Sequence, residues 1–532
     1  APPMKQPPFS RSIECDGAAA ADDKHSMSAG VVRPSRMLYV VFFCTMFWAV
    51  IFFLQRSTSL RLGSAAEPTS GRGVTFLSQL NTSTTASRLG LREDRCAGRY
   101  VYMYDLPPRF NADLVRDCRN LTASTDVCKH LANDGFGPSI TGGGDGGSLP
   151  EKGAYDTNQF MLAVIFHARM RRHECLTSYP SAAAAVYIPF YAGLDVVRQD
   201  TENPADISAR ETLPRGLVEW LLRRPEWRAM GGRDHFLVAG RGSWDFLRAL
   251  GAAGKGNSLL SYPAIRNATV LTTEASPYHG HDFAVPFPSH FHASSDADVS
   301  SWQDRMRRAE RKWLWGFAGA SRPSSKRTVR SQIMEECGRS SRCAMLGGAA
   351  TAYTQGPGRT MQLLESAEYC VQPRGDGYTR KSTFDSILAG CIPVFFHPIS
   401  AYLQYIWHLP RDYRTYSVFI HHGDVVGNNA SIEEALARIP PAKVAQMREE
   451  VIRLIPTVMY RDPAAKGVTF KDAFDVAVDA VIHRVAKRRR AAAEGRVDYQ
   501  DSVDGGKSWK YDLLQDGEKN IGPHEFDPYV YT

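Results

Sequence analysis

The sequence predicts an α/β fold with two facing Rossmann-like domains, a cleft between them and an N-terminal transmembrane helix. Short continuous apolar runs alternate with helix-length stretches, and this alternation restarts after one long charged helix. Continuous apolar runs between helices are typical of parallel strands that are buried on both faces of a sheet. An uninterrupted apolar segment, Met37 to Leu54, predicts the transmembrane helix.

The length and composition indicate a globular protein with more than one hydrophobic core. The chain has 532 residues, of which 43% are hydrophobic and 23% are charged, so it has enough apolar material for two domains. Its formal net charge of +8 indicates an affinity for anions. Nucleic acid, nucleotide diphosphates and anionic membrane surfaces are all compatible with that charge.

The apolar segment is predicted to be a retained membrane anchor. As a helix it would be about 27 Å long, which matches the thinner bilayers of the early secretory pathway. A cleaved signal peptide has a shorter apolar core followed by small residues, and no such site follows Leu54. We therefore expect a cytosolic tail at 1–36, the anchor at 37–54 and a flexible Ser-, Thr- and Gly-rich stem at 55–95.

Sequons and cysteines orient the anchor, because the basic residues on its two sides are balanced and the positive-inside rule gives no answer. Of ten cysteines, one precedes the anchor and one lies within it, which leaves eight for disulfides in an oxidising lumen. The pairs Cys118/Cys128 and Cys337/Cys343 are plausible disulfides, with buried free thiols as the alternative. Four N-x-S/T sequons also follow the anchor, at Asn81, Asn120, Asn267 and Asn429. The body of the protein is therefore predicted to be lumenal.

The first predicted domain, 96–308, contains strands and helices that alternate along the chain. The strands are predicted in GRYVYMYDLPPRF, AAAAVYIPFYAG, RDHFLVAG and ATVLTTEAS. The helices are predicted in YDTNQFMLAVIFHARMRRH and LVEWLLRRPEW, and the long charged helix SSWQDRMRRAERKW closes the domain.

The second predicted domain, 309–532, repeats this alternation. Its strands are predicted in LWGFAGAS, AEYCVQPRG and CIPVFF, and its helices in RTVRSQIMEEC and STFDSILAG. Ser431 and Glu434 form a capping box that opens a further helix, and a final amphipathic helix is predicted around Thr469–Arg490. We expect its basic end, KRRR (487–490), to be solvated, and the glycine-rich loop Gly142–Gly147 to be an insertion.

The segment PRGDGYTRKSTFDSILAGCIPVFF, which begins at Pro373, has the pattern of an anion-binding site. A strand leads into a glycine turn and then a helix, whose first N–H groups attract anions. Arg380 and Lys381 add positive charge at the helix start. Ser382 and Asp385 share one helix face, and a carboxylate there could accept hydrogen bonds from ribose hydroxyls.

Two other readings of this segment are possible. It could be a structural α/β turn with a capped helix, although the convergence of basic, hydroxyl and acidic side chains favours ligand binding. Arg374, Gly375 and Asp376 also spell a cell-adhesion tripeptide. Such a tripeptide acts on a protruding loop, whereas this one lies between a strand and a helix, so we interpret it as a coincidence.

The same residues resemble the nucleotide-sugar signature of exostosin-type glycosyltransferases. The similarity extends through YMYDLPPRFN, TNQF, PFYAGLD, RPEW, DHFLVAGR, WDF, WQDRMRRAERKWLWGFAGA, WHLP, YSVFI and KDAFDV, and covers most of residues 99–515. It resembles the plant branch of xyloglucan galactosyltransferases. The resemblance implies a GT-B fold, inverting chemistry, a UDP-sugar donor and a single-pass type II Golgi membrane protein with a lumenal catalytic domain.

The resemblance divides the predicted roles between the domains, with acceptor binding at 96–308 and UDP-sugar binding at 309–532. Arg330 is included by family analogy, and with Arg380 it could replace a metal ion electrostatically. An Asp-x-Asp motif at Asp296 and Asp298 is interpreted as turn and cap chemistry, so no metal and no cofactor besides the donor are expected. The predicted UDP-sugar site comprises Arg330, Arg374, Gly375, Tyr378, Thr379, Arg380, Ser382 and Asp385.

Glycosyl transfer also needs a general base, which we expect on a loop after a strand of the first domain. The sequence does not choose among the four candidates. His235 is interpreted as a core histidine. Trp220, Trp227, Trp244 and Trp407 could stack on sugars, although most are expected in the core. The four candidates for the base are Asp195, Asp245, Glu274 and Asp282.

Together these features predict transfer of galactose from UDP-galactose to xylosyl side chains of xyloglucan in the cell wall. A galacturonosyl or arabinosyl donor is the alternative within the enzyme class, and a non-catalytic Golgi scaffold is the alternative outside it. The expected partners are the xyloglucan acceptor, the UDP-sugar and the membrane, with Golgi glycosyltransferase complexes or a homodimer as further possibilities. No nucleic acid partner is expected.

Overall fold

A computed structural model of the chain describes residues 94–122, 126–140, 148–199, 207–252, 255–277, 279–321, 327–347 and 356–496. The expected tail, anchor, nearly all of the expected stem and the glycine-rich loop lie outside these residues. Within the described ranges, no helix is both long enough and apolar enough to cross a membrane.

Six parallel strands form the first sheet, in the order β2-β1-β3-β4-β5-β6. The strands are β1 (Val101–Met103), β2 (Leu176–Thr177), β3 (Ala185–Ile188), β4 (His235–Val238), β5 (Thr269–Thr272) and β6 (Asp282–Ala284). The helices of this part are α1 (Ala112–Arg116), α2 (Val127–Leu131), α3 (Leu162–Met170), α4 (Ala192–Gln199), α5 (Ile207–Leu222) and α6 (Pro225–Met230).

Five parallel strands form the second sheet, in the order β8-β7-β9-β10-β11. The strands are β7 (Trp313–Ala318), β8 (Cys343–Leu346), β9 (Ala367–Gln372), β10 (Ile392–Phe395) and β11 (Val418–Phe419). The helices are α7 (Asp296–Arg308), α8 (Val329–Arg339), α9 (Pro357–Glu365), α10 (Lys381–Leu388), α11 (His422–Val426), α12 (Ile432–Ala437), α13 (Pro441–Arg453), α14 (Ile455–Val458) and α15 (Ala473–Ala493).

The predicted α/β alternation is confirmed in both parts. Strands β3, β4, β5 and β10 are buried at every residue, as continuous apolar runs require in a sheet that is covered on both faces. In the first sheet, β1 lies between β2 at the edge and β3. In the second sheet, β7 lies between β8 at the edge and β9 in the same way. Winding therefore reverses between β1 and β3 and again between β7 and β9. Such doubly wound sheets bind ligands at the carboxyl ends of the strands beside this reversal.

Two helices pack on the other side of the predicted boundary at 308/309. Helix α7 belongs to the second core, where Trp302 stacks on Phe291 and its indole N–H donates to the carbonyl of Leu388. Helix α15 belongs to the first core, where Phe474 lies 4.5 Å from Phe166. We call each sheet with the helices packed on it the first and the second lobe. Helix α15 thus packs on a sheet whose strands are distant from it in sequence, whereas α7 packs on the sheet that directly follows it.

The basic end of α15 differs from its prediction. The Arg488 side chain is buried and donates to the carbonyls of Arg233 and Asn267. Arg489 forms an ion pair with Asp234 of the first lobe. The expectation that this end is solvated is wrong for Arg488, because the helix lies against the first sheet and its long cationic side chains satisfy loop carbonyls there.

Four disulfides join the eight cysteines that follow the predicted anchor. Both predicted pairs, Cys118–Cys128 and Cys337–Cys343, are confirmed, so the alternative of buried free thiols is wrong for them. The other two bonds, Cys96–Cys175 and Cys370–Cys391, connect positions that are farther apart in sequence.

Candidate active site

The turn between β9 and α10 lies beside the strand reversal of the second sheet. Strand β9 ends at Gln372 and α10 begins at Lys381, so the predicted order of strand, glycine turn and helix is confirmed. The N–H of Gly375 donates to the carbonyl of Gly377 and closes the turn. Helix α10 ends at Leu388, followed by Gly390 with a φ of +62°, as expected for a helix-terminating glycine.

Two guanidinium groups lie over one aromatic ring at this reversal. The carbon at the centre of each guanidinium is 5.4 Å (Arg330) and 5.8 Å (Arg380) from the ring centroid of Phe317, near the end of β7. Arg330 is buried and donates to the carbonyls of Ala320 and Arg374. The fold therefore brings together two positive charges that the sequence separates, and it does so where a ligand is expected.

Arg380 is fixed by the ends of two strands. Its guanidinium donates to the carbonyl of Ala318 at the end of β7 and to the carbonyl of Pro373, just after β9. Its Nε donates to the hydroxyl of Ser382 at 2.9 Å. That hydroxyl donates in turn to the side-chain oxygen of Gln372 at 2.6 Å. In this structure Ser382 orients the arginine, and a ligand would meet a positive group that is already positioned.

Asp385 lies on α10 one turn after Lys381, and the two form a buried ion pair. The ammonium group of Lys381 lies 2.8 Å and 3.0 Å from the two carboxylate oxygens. The hydroxyl of Ser289 also donates to this carboxylate. Burial alone would raise the pKa of Asp385, but the charge of Lys381 and these hydrogen bonds hold it below its usual value. Asp385 is therefore ionised. Ser382 and Asp385, which were predicted to share one helix face, bind different partners: Ser382 binds Arg380 and Gln372, whereas Asp385 binds Lys381 and Ser289.

Aromatic groups lie beside the turn. The Arg374 guanidinium is exposed and lies 4.6 Å from the ring centroid of Tyr378. That ring lies 4.5 Å from the imidazole of His397. A Cβ on Gly375 would meet no atom within 4 Å, so space is open there. Arg374 and Asp376 of the adhesion tripeptide are both exposed. The backbone of this turn is held by the hydrogen bond from Arg330 to the carbonyl of Arg374 and by the one between Gly375 and Gly377.

Glu274 connects the first lobe to this turn. It lies two residues after β5, and one of its carboxylate oxygens accepts hydrogen bonds from the backbone N–H and the hydroxyl of Thr379, both at 2.8 Å. A Cβ on Gly377 would lie 2.2 Å from the same oxygen, so the approach requires glycine. A carboxylate from the first lobe thus binds an N–H group just before the cationic helix start.

Neighbouring residues hold Glu274 in place. The side-chain amide of Gln404 donates to the carbonyl of Ala275 and accepts from its N–H, at 3.0 Å and 2.7 Å. The hydroxyl of Tyr405 donates to the carbonyl of Thr273. The backbone on both sides of Glu274 is therefore bound to the second lobe.

Two other candidates for the base are fully buried and bonded within the first lobe. Asp195 accepts from Arg198 at 2.9 Å and from Asn257 at 3.3 Å. Asp282 accepts from the hydroxyl of Ser243 and the N–H of Ser276, both at 2.6 Å. Both carboxylates lie in positions that support loops at the carboxyl edge of the first sheet.

Asp245, the remaining candidate, lies in a short 3-10 turn after β4 (Ser243–Asp245). Its carboxylate accepts from Arg241 at 2.7 Å, and the Arg241 guanidinium lies 4.4 Å from the ring centroid of Phe160. The N–H of Ser243 donates to the carbonyl of Glu274 at 2.7 Å, so this turn is adjacent to Glu274. The structure thus brings Glu274 into contact with the turn between β9 and α10, and it places Asp245 in a turn that lies next to Glu274.

The tryptophan and histidine predictions have mixed outcomes. His235 is fully buried, as predicted, between Asp234 and the hydroxyl of Tyr104. Trp227 is buried, and Trp407 is partly buried and stacks on Phe283. Trp220 is also partly buried, whereas Trp244 is 55% exposed.

The prediction of cap and turn chemistry for the Asp-x-Asp motif is confirmed for Asp298, whereas Asp296 binds a distant segment. Ser295 and Asp298 form the capping box of α7, and Asp296 accepts from the N–H groups of Thr469 and Phe470. Among the residues that the structure describes, no group of three or more His, Cys, Asp or Glu side chains is arranged to hold a metal ion.

Sequence reasoning missed several groups that support the site. The pair Lys381–Asp385 could have been found from its i, i+4 spacing on a helix. Gln372 could have been noticed as a polar residue at the end of an apolar strand. Ser289 and Phe317 carry no such signal, because each lies in an ordinary apolar or loop segment and reaches the site only through the fold.

Comparison with known proteins decides the family. The family model of the Exostosin GT47 domain matches residues 95–436, which contain both sheets and the cationic turn. The chain belongs to the exostosin GT47 family. This family assignment makes the protein a glycosyltransferase and confirms the resemblance of its sequence to exostosin-type glycosyltransferases.

Three proteins from Arabidopsis thaliana are similar to this chain over most of its length. The chain is 47% identical over 440 residues to "Xyloglucan galactosyltransferase MUR3", covering 82% of this chain and 70% of that protein. It is 42% identical to "Probable xyloglucan galactosyltransferase GT15", covering 77% of this chain and 87% of that protein. It is 38% identical to "Xyloglucan-specific galacturonosyltransferase 1", covering 74% of this chain and 58% of that protein.

Among solved structures, the chain aligns with the pneumococcal O-GlcNAc transferase GtfA in complex with UDP and GlcNAc. The TM-score is 0.23 and the identity 9%, over 55% of this chain and 61% of that chain. A score this low carries no argument about this GT47 protein.

Proposed function

We propose that this glycosyltransferase transfers galactose from UDP-galactose to xylosyl side chains of xyloglucan, with inversion at C1 of the galactose. The observation that carries the proposal is the contact between a cationic helix start and a carboxylate of the other lobe, in a chain that is similar to a xyloglucan galactosyltransferase. Both groups are needed for glycosyl transfer, since one must bind the departing diphosphate and the other must accept a proton.

The helix start is suited to the leaving group. Arg330, Arg380 and the first N–H groups of α10 present positive charge at the carboxyl edge of the second sheet, where diphosphates bind in doubly wound sheets. We propose that the diphosphate lies there and that Asp385 accepts hydrogen bonds from the ribose. The fixed positive groups would stabilise the negative charge of UDP as it leaves, and the reaction is expected to need no metal.

The proton acceptor in this proposal is Glu274. In the transfer step the acceptor hydroxyl oxygen forms a bond to C1, its proton passes to Glu274, and the bond from C1 to the diphosphate breaks. The electron pair of that bond leaves with UDP. Attack from the face opposite the leaving group inverts C1, which requires the base and the diphosphate site on opposite sides of the sugar. Their origin in different lobes supports this arrangement.

Two further parts of the proposal follow from the family. We propose that the two lobes form a GT-B arrangement, with acceptor binding in the first lobe and UDP-sugar binding in the second. We also propose that the protein is a type II Golgi membrane protein whose catalytic part is lumenal. Three sequon asparagines in the described residues, Asn120, Asn267 and Asn429, are exposed, which supports glycosylation there.

The test is a donor panel. The purified full chain is incubated with xyloglucan oligosaccharides and UDP-galactose, UDP-galacturonate or UDP-arabinose, each with and without EDTA, and the products are identified by mass spectrometry. We expect product with UDP-galactose, equally with EDTA. Product with UDP-galacturonate instead would favour the second candidate, which the similarity to a galacturonosyltransferase supports. No product with any donor would favour a scaffold, and loss of product with EDTA would contradict metal independence.

A further inference from the structure

We propose that Trp244 forms the floor of the acceptor subsite, where a sugar ring of the glucan acceptor stacks on the indole. This inference rests on the proposed function and names a residue that positions the acceptor within it. Trp244 is 55% exposed, and it is the one tryptophan in the described part of the chain with more than half of its surface exposed. A large exposed aromatic side chain beside a catalytic edge is typical of a binding surface.

Its position places it next to the proposed base. The N–H of Ser243, the preceding residue, donates to the carbonyl of Glu274, and Gly242 pairs with Glu274 in a parallel bridge. Paired backbones are about 4.8 Å apart and successive Cα atoms about 3.8 Å. The backbone of Trp244 therefore lies within roughly 10 Å of the backbone of Glu274. An acceptor sugar bound there would be one or two rings away from the reacting hydroxyl.

The turn that carries Trp244 is rigid. Its neighbours on both sides are bonded, Ser243 to the buried Asp282 and Asp245 to Arg241. The indole itself rests against Gly242, since a Cβ there would lie 2.4 Å from the indole nitrogen. One side of the ring system is thus covered by backbone while the side chain remains exposed. A preorganised surface binds a ligand at a lower entropic cost than a mobile one.

The chemistry of the occupant follows from the shape of the sugars. Glucose and xylose rings with equatorial hydroxyls present axial C–H groups on their faces, and such groups pack against the electron-rich face of an indole. The platform therefore suits the glucosyl and xylosyl units of the acceptor, and the adjacent Arg241–Asp245 pair could bond to their hydroxyls.

The experiment compares three variants of the full chain with the wild type. Trp244→Ala removes the platform, Trp244→Phe retains an aromatic face, and Tyr179→Ala is the matched control. Tyr179 is 72% exposed in the same lobe but follows β2, the edge strand three positions from β4. Initial rates are measured against xyloglucan oligosaccharide and against UDP-galactose, with UDP affinity and the thermal midpoint as folding controls.

We expect Trp244→Ala to raise the KM for the oligosaccharide by about tenfold or more. Its KM for UDP-galactose, its UDP affinity and its thermal midpoint should match the wild type. Trp244→Phe should recover most of the acceptor affinity, and Tyr179→Ala should behave as the wild type. An unchanged acceptor KM in Trp244→Ala, with an active wild type, overturns this inference alone. A wild type that transfers no sugar to xyloglucan defeats the proposed function and this inference with it.

Discussion

Glu274 accepts hydrogen bonds from both the backbone N–H and the hydroxyl of Thr379, each at 2.8 Å. The two residues are 105 positions apart and belong to different lobes. The contact places an acidic side chain of the first lobe beside the turn that precedes the cationic helix start. It is also the reason that Glu274 is preferred to Asp195, Asp245 and Asp282 as the base.

The first prediction concerns Glu274→Gln. The amide oxygen of glutamine can still accept from Thr379, so the lobes should remain joined and the thermal midpoint should change little. Without a carboxylate the proton has no acceptor, and kcat should fall by about 10²- to 10⁴-fold while UDP affinity is retained. Steady-state kinetics and calorimetry with UDP measure both quantities. Asp245→Asn is the comparison, and a larger loss of kcat in that variant would transfer the role to Asp245.

The second prediction concerns Arg380→Ala. Loss of a charged hydrogen-bonding group is expected to cost about 1.5–3 kcal/mol of UDP binding, which corresponds to roughly 10- to 100-fold in affinity. Calorimetric titration with UDP gives the value. Arg438→Ala is the matched control, because the Arg438 side chain is 79% exposed and pairs with an exposed glutamate. Equal UDP affinity in the two variants would show that the diphosphate binds elsewhere.

The third prediction concerns Asp385→Asn. This change leaves the ammonium group of Lys381, whose side chain is only 12% exposed, without its carboxylate. The protein should lose about 3 kcal/mol of unfolding free energy, and UDP should bind more weakly because the ribose contact is lost. The double variant Asp385→Asn/Lys381→Met separates the effects. It should recover stability in chemical denaturation but not UDP affinity, and recovery of both would exclude a ribose contact.

The fourth prediction concerns the pH dependence of stability. Burial, and next to it the charge of Asp475, raise the pKa of Asp472 to about 7, whereas an aspartate in an unfolded chain titrates near about 3.9. The folded state therefore binds the extra proton between these values. The stabilisation from this group is complete below about pH 4 and is lost as the pH rises through about 7.

Asp472→Asn tests this pH dependence, since asparagine can also cap helix α15 and does not titrate. Thermal midpoints of both proteins are measured from pH 4.5 to pH 7.5 in steps. Relative to the wild type, the variant should become more stable as the pH rises. Parallel curves for the two proteins would contradict a raised pKa at Asp472.

Local patterns in the sequence predict most of the secondary structure. Strands β3, β4 and β10 and helices α3 and α10 were all expected from the spacing of their apolar residues. Burial of a strand or of one helix face requires apolar side chains at regular intervals along the chain. The disulfides Cys118–Cys128 and Cys337–Cys343 were expected because their cysteines are close in sequence. Basic and acidic residues near the start of α10 likewise indicated an anion site before any contact was known.

What the sequence by itself determined is thus the α/β alternation, two short-range disulfides and a cationic helix start, all of which depend on residues within a few turns of one another. Tertiary structure decided which carboxylate reaches that helix start, which ring lies beneath Arg330 and Arg380, and which sheet receives α7 and α15. These contacts depend on how two lobes and distant segments pack. Hydrophobic periodicity records that a face is buried but not which surface covers it, so only the folded chain could specify them.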